Sequence, residues 1–244
     1  MQPRPAPTID DQPAPAPSAR LRAAMLLLLP GLSRSVDDLW ADARLRTLYP
    51  RYLVALHTMV RASVPLMQEA LDVTRDRYLD TPCGVRLAAY LASHIPEETG
   101  HDEWLLEDLA QLGYPASVAT THFPSPAVAA MVGAQYYYVR HVHPCVLLGY
   151  ISVLEGYPPS AVMAERGSEL TGYPKSAFRT IRKHANLDPH HKLDLEAAID
   201  EMRLDDRQLG MISANALLTI DYVHQLIRQL TGDDVSSRLT SDPT

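Results

Sequence analysis

Residues 84–113 read GVRLAAYLASHIPEETGHDEWLLEDLAQLG, and this stretch decides the fold. Leucine, alanine and glutamate dominate it, residues that lose little freedom in a helix, and a glycine stands at each end. The pattern predicts a single helix over 84–112 that stops at Gly113. Within it lies His94-Ile-Pro-Glu-Glu-Thr-Gly-His101. At about 100° per residue, His94, Glu97, Glu98 and His101 fall within one quadrant of a helix. Carboxylates and imidazoles on one face can converge on a point, which is the geometry a metal ion needs. Alone, the same residues could equally decorate a solvated face.

The rest of the chain reads the same way. It has 244 residues, 46% of them apolar, with only two Phe and eleven Gly, a balance that favours helices over strands and fits one domain with a sizeable core. Pro, Gly and Ser punctuate amphipathic segments, and about seven helices are expected. One runs over 36–78, capped by Ser35 and bent or broken at Pro50 and Pro65. After 84–112, another opens at Ser125-Pro126 and continues to Glu155, apolar nearly all round and therefore buried. Shorter helices follow at 160–170 and 175–186, then a turn at Asp188-Pro189, a helix to Met202 and a closing helix over 206–230. Residues 1–18 form a disordered Pro/Ala-rich leader, 19–231 the helical domain and 232–244 a flexible tail.

Several function classes are excluded at this level. A net charge of -7 with mixed Arg and Asp leaves no basic stripe for nucleic acid. The apolar run 23–32 is too short to span a membrane and lacks a small-residue cleavage site, so it reads as a buried helix. Two cysteines, Cys83 and Cys145, cannot build a disulfide framework and read as buried free thiols. A cytoplasmic protein is expected.

Two further constellations carry chemistry. His184-Ala-Asn-Leu-Asp188-Pro-His-His191 places His184, Asp188 and His191 on one helical stripe, with His190 turned aside. Imidazole mixed with carboxylate suits iron better than magnesium or structural zinc. Asp188-Pro189 is also an ordinary helix start, an N-cap followed by a first-turn proline; a kink at Pro189 would reconcile the two readings. Glu155 ends the apolar run VLLGYISVLEG, where a carboxylate is costly to bury unless it is paired or bound to a cation.

Taken in this order, the three motifs resemble the heme-oxygenase-like di-iron oxidases, also described as iron-containing redox enzymes. Glu98-x-x-His101 has the spacing of the inward-facing pair in carboxylate-bridged di-iron bundles. The resemblance covers about 36–230 and implies an all-α, heme-oxygenase-like (TenA-like) bundle. It implies two Fe(II)/Fe(III) ions on Glu98, His101, Glu155, His184, Asp188 and His191, with O2 as co-substrate. Some members place the helix-two carboxylate seven residues before the histidine, which here is His94; others place it three before, which is Glu98, the residue favoured here. Some add a carboxylate from the first core helix, for which Glu69 is the nearest match, and Glu97 is a neighbouring candidate. The implied reaction is oxidation of a small amino-acid-like or fatty-acid-like substrate in a biosynthetic pathway. An external electron donor and a homodimer are compatible with this reading.

Tyr137, Tyr138 and His141 could line a substrate pocket, although core packing explains them as well. His57 as an axial haem ligand has only the fold in its favour, and Trp104 and Leu105 read as core. The rival readings are a metal-free enzyme of the same fold, thiaminase-like or resembling enzymes of pyrroloquinoline-quinone synthesis, with Cys145 to test as nucleophile, and a non-catalytic helical ligand-binding module.

Overall fold

The computed structural model describes residues 14–232. The bodies of the leader and tail, residues 1–13 and 233–244, lie outside the described residues. Among the described residues the chain forms twelve α-helices and no strand. They are α1 (Pro17–Met25), α2 (Leu29–Ala41), α3 (Leu45–Val60), α4 (Ser63–Arg77), α5 (Pro82–Glu98) and α6 (His101–Gln111). The others are α7 (Ser117–Thr120), α8 (Pro126–His141), α9 (Leu147–Glu155), α10 (Ala161–Thr171), α11 (Arg179–Glu201) and α12 (Asp206–Thr231). Short 3-10 turns at Pro144–Val146 and Lys175–Phe178 lead into α9 and α11.

The count exceeds seven because the long helices expected from the sequence are divided. Gly100 adopts φ 87°, a left-handed conformation that glycine takes at little cost, and it separates α5 from α6. His143 precedes Pro144 and is extended (φ -166°, ψ 135°), as the proline ring requires, so α8 and α9 are distinct. The first long helix breaks at residues 42–44 and 61–62. Pro65 then falls in the first turn of α4, where no backbone donor is needed.

Pro50, by contrast, stays inside α3. The Arg46 carbonyl that its missing N–H would have bonded accepts the Tyr173 hydroxyl at 3.1 Å instead. The run 23–32 is not one buried helix. Pro30 starts a new helix, and the turn before it leaves Leu26, Leu27 and Leu28 exposed, while Leu21, Met25 and Leu29 on either side are buried. Pro17 and Ser18 belong to α1, where Ser18 donates from its backbone and hydroxyl to Asp200 at 2.8 and 2.9 Å.

The core gathers around α9, nearly every residue of which is buried. It lies against α12, which starts with a reciprocal capping box between Asp205 and Gln208. One polar lock sits in this apolar interior. Gln135 on α8 donates to the Asn215 amide oxygen at 2.9 Å, and Asn215 on α12 donates to Gln135 at 2.8 Å and to the Val146 carbonyl at 2.8 Å. Truncation would leave buried donors and acceptors unpaired, so Asn215→Ala should lower the unfolding free energy by about 2–3 kcal/mol, measured by urea denaturation. A loss within experimental error would mean that water replaces the amide.

None of the described helices is long and apolar enough to cross a membrane.

Candidate metal centre

Four helices deliver the cluster. His94, Glu97 and Glu98 lie in the last turns of α5. The Gly100 turn then reverses the register, so that His101, the first residue of α6, still faces Glu98. His101 Nδ1 lies 3.1 Å from Glu98 Oε2. The Glu-x-x-His pair is therefore formed across a helix break rather than along one continuous helix.

Glu155 closes α9, and its Oε1 lies 3.0 Å from His94 Nε2. α11 brings the rest, and its start is held by a residue of α6. Asp108 accepts the backbone N–H of Arg179 at 3.1 Å and of Thr180 at 3.0 Å, supplying the cap that Phe178 at the N-cap position cannot.

The helix α11 runs without interruption through Pro189, so the expected turn at Asp188-Pro189 is absent. Continuity keeps His184, Asp188 and His191 on one stripe. A proline there costs on the order of 3 kcal/mol, which the burial of the helix's apolar residues Ile181, Leu195, Ala198 and Ile199 must offset. His184 Nδ1 is 2.9 Å from the Thr180 carbonyl. A carbonyl only accepts, so Nδ1 carries the proton and Nε2 keeps a free lone pair.

The polar atoms converge. His191 Nδ1 is 3.3 Å from Glu98 Oε1 and 3.9 Å from Glu155 Oε2, and its Nε2 is 3.7 Å from Glu97 Oε2. The imidazole centroids of His94 and His191 are 5.0 Å apart, and those of His101 and His184 5.2 Å apart. Ligand atoms of His94, Glu98 and Glu155 all lie within 4.8 Å of one another, as do those of His94, Glu97 and His191. Both His94 and Glu98 thus reach the cluster, although the spacing argument chose between them. Glu97 stands at the rim, 48% exposed.

Whether a cation fits can be tested on atoms left without partners. Glu98 Oε1, Glu155 Oε2, Asp188 Oδ1, His101 Nδ1 and His191 Nδ1 are buried and make no hydrogen bond among the described residues. Each such atom costs about 1–3 kcal/mol. Three buried carboxylate oxygens and two buried imidazole nitrogens without a hydrogen bond, the nitrogens only in ion-pair range of Glu98, are a donor set for a metal, and the mixture of imidazole and carboxylate suits iron.

The electrostatics agree. Burial raises the Glu155 carboxyl against the opposing influence of His94. Burial would lower His94, but its hydrogen bond to Glu155, with the charges of Glu155 and Glu98, outweighs this and pushes it up to about 9. Burial lowers both His184 and His191, favouring the neutral imidazole that a metal requires.

Burial, followed by the charges of Glu155 and Glu98, pushes the Asp188 carboxyl from its usual 3.8 up to about 8. A carboxyl raised in the folded state stabilises the fold while it holds its proton and loses that contribution as pH rises from 3.8 through about 8. Metal-free protein should therefore lose stability relative to Asp188→Asn across that window, by at most about 1.4 kcal/mol per pH unit. Urea unfolding of both proteins across the window checks this, and parallel curves would contradict it.

Some expected residues stand elsewhere. Glu69 is held by Arg140 at 2.7 and 3.0 Å where α4 meets α8, so its carboxylate is engaged there and not in the cluster. Tyr137 and His141 are exposed on α8, with ring centroids 5.0 Å apart, and Tyr138 is half-buried beside Tyr137; they form a surface group, not a pocket lining. An open cleft of about 980 Å³ between α3, α6 and α12 is lined by Arg51, Leu109, Tyr114, Phe123 and Leu226 among others, and by none of the cluster residues.

Residues not anticipated also matter. Tyr90, one turn before His94, stacks on it at 5.1 Å, and its buried hydroxyl has no partner. Trp104 is not core packing alone: it covers His101 at 3.9 Å and meets His184 edge-on, while Lys183 lies over its ring at 3.8 Å. The i, i+4 spacing of Tyr90 and His94 and the i, i+3 spacing of His101 and Trp104 were available signals. Asp108 had none, because its partners lie on another helix.

A family model described as iron-containing redox enzyme matches residues 51–223. Among solved structures, the chain is similar to a domain of unknown function with a heme oxygenase-like fold from Shewanella denitrificans OS217. The TM-score is 0.66 and the identity 15%, with 88% of each chain covered. It is also similar to a TenA homolog from Pseudomonas syringae pv. tomato str. DC3000, with TM-score 0.67 and 14% identity over 94% of this chain and 98% of that one. At such identities the likeness concerns the fold, which is heme-oxygenase-like. No curated protein matches the chain in sequence.

Proposed function

The chain belongs to the iron-containing redox enzyme family, whose model spans residues 51–223, and from that premise we propose that it is a non-haem di-iron oxidoreductase. It uses O2 to oxidise a small organic substrate, amino-acid-like or fatty-acid-like, in a cytoplasmic biosynthetic pathway. The observation that carries this reading is the set of five buried ligand atoms without a hydrogen bond on Glu98, His101, Glu155, Asp188 and His191.

Glu98, His101, Glu155, His184, Asp188 and His191 would hold the two irons, with His94 against Glu155. Ferrous iron bound there would supply electrons for O2 reduction. The protein's own contribution is orientation and dryness. The Thr180 carbonyl holds His184 in the tautomer with Nε2 free. Trp104 seals the His101–His184 edge, and Tyr90 shields His94. Glu97, at the exposed rim, is placed to exchange protons with solvent. Hydroxylation of a C–H bond by O2 forms water as well as product and consumes two further electrons, so a separate reductant accompanies that outcome.

The likeness to a TenA homolog supports a metal-free enzyme as the second reading, with Cys145 as nucleophile. Cys145 is fully buried, and its contact with Cys83, with burial second, raises its thiol. Both disfavour a reactive thiolate.

Anaerobic Fe(II) titration of metal-free full-length protein, followed by O2 uptake, tests the proposal. The expected stoichiometry is two irons per chain, with O2 consumed by the loaded protein. Binding no stronger than background would overturn it.

A further inference from the structure

A second group of ligating side chains lies apart from the carboxylate cluster. Cys83, His143 and Cys145 each offer an atom within 4.8 Å of the other two. The chain holds only two cysteines, and the fold brings them into contact from different segments, Cys83 in the first turn of α5 and Cys145 in the 3-10 turn before α9.

The surroundings fix all three. Thr81 caps α5 by accepting the Gly84 N–H at 3.0 Å. At Gly84 a Cβ would collide with the Tyr78 backbone and lie 2.8 Å from Tyr78 Cβ, so glycine lets α5 start hard against Tyr78. The Tyr78 ring packs on His143 at 4.3 Å. His143 is held extended by Pro144, and its Nδ1 accepts the Cys145 N–H at 3.1 Å, so Nδ1 carries the lone pair, and ligation of a metal there would replace that hydrogen bond.

Cys83 and Cys145 are buried and His143 is half-buried. The carboxylate of Asp205, at the start of α12, bears on all three groups through its charge. A negative charge beside two thiols opposes their ionisation but favours a cation among them.

We propose that Cys83, Cys145 and His143 form a thiophilic metal site, suited to Zn(II) as a Cys2His set with a fourth position left to water. Imidazole and thiolate are the ligands zinc selects. Binding would release two thiol protons per metal. It would also fasten the first turn of α5 to the connection between α8 and α9, the helices that carry His94 and Glu98 on one side and Glu155 on the other.

Reduced, metal-free full-length protein should be titrated with Co(II), read by thiolate-to-cobalt charge-transfer absorbance in the near ultraviolet. The carboxylate–histidine cluster has no sulfur and cannot give that band, so the result is independent of iron binding. The expected result is one thiolate-bound Co(II) per chain. The band should disappear in Cys83→Ser and in Cys145→Ser, weaken at least tenfold in affinity in His143→Asn and persist unchanged in His191→Ala. Zn(II) should displace the cobalt and abolish the charge-transfer band. A folded wild type that shows no such band, or a band that survives both cysteine substitutions, overturns the site and leaves two packed thiols.

Discussion

His191→Ala should bind fewer than two Fe(II) per chain, with the remaining affinity weakened at least about tenfold, equivalent to about 1.4 kcal/mol. The imidazole of His191 lies against Glu98, Glu155 and Glu97 at 3.3, 3.9 and 3.7 Å, more cluster contacts than any other member of α11 makes. Removing it opens one side of the cluster and takes away the imidazole nitrogen 3.3 Å from Glu98 Oε1. O2 uptake should fall in parallel.

The control is His190→Ala. His190 is adjacent in sequence but exposed, and its loss should leave both stoichiometry and uptake unchanged. Equal binding by wild type and His191→Ala would remove α11 from the metal centre and return the reading to a metal-free enzyme of the same fold.

Gly149→Ala should be strongly destabilising, at about 3 kcal/mol. Gly149 lies on α9 where it crosses α12. A Cβ there would be driven into the Ile212 carbonyl oxygen and would sit 2.8 Å from the Ala216 nitrogen. Both are backbone atoms of a packed helix, so no rotamer change can make room, and the helices must separate. Because Glu155 is at the end of α9, the displacement should also weaken Fe(II) binding.

Gly133 and Gly210 are also helical, yet a Cβ at either meets nothing within 4 Å. Gly133→Ala and Gly210→Ala should therefore be neutral or stabilising by up to about 1 kcal/mol. Urea unfolding of the three variants reads the contrast directly. A Gly149→Ala protein as stable as wild type would show that the α9–α12 crossing is looser than its geometry implies.

Much of this was readable from the chain. Helix-forming composition, Ser125 as the cap of α8, which accepts the Val128 N–H at 3.3 Å, and the closing helix over 206–230 are local properties encoded by neighbouring residues. So is the periodic placement of His184, Asp188 and His191. Helix breaks were harder to read. Gly100 is one glycine among eleven, and only packing decides whether it bends the chain or continues it. Pro189 signalled a break that does not occur, because tertiary packing of the apolar residues on either side, Ile181, Leu195, Ala198 and Ile199, overrides the local penalty.

By itself, then, the sequence determined an all-helical chain, the residue types able to bind a metal, and the helical stripe on which each group lies, since these depend on interactions within a few residues. Tertiary structure alone decided which stripes face one another. It joined Glu155 to His94, turned Glu69 to Arg140 and Tyr137 to the surface, used Asp108 to cap a distant helix, and brought Cys83 to Cys145. Such choices depend on the packing of whole helix faces against one another, and helix periodicity holds no information about the partner across the interface.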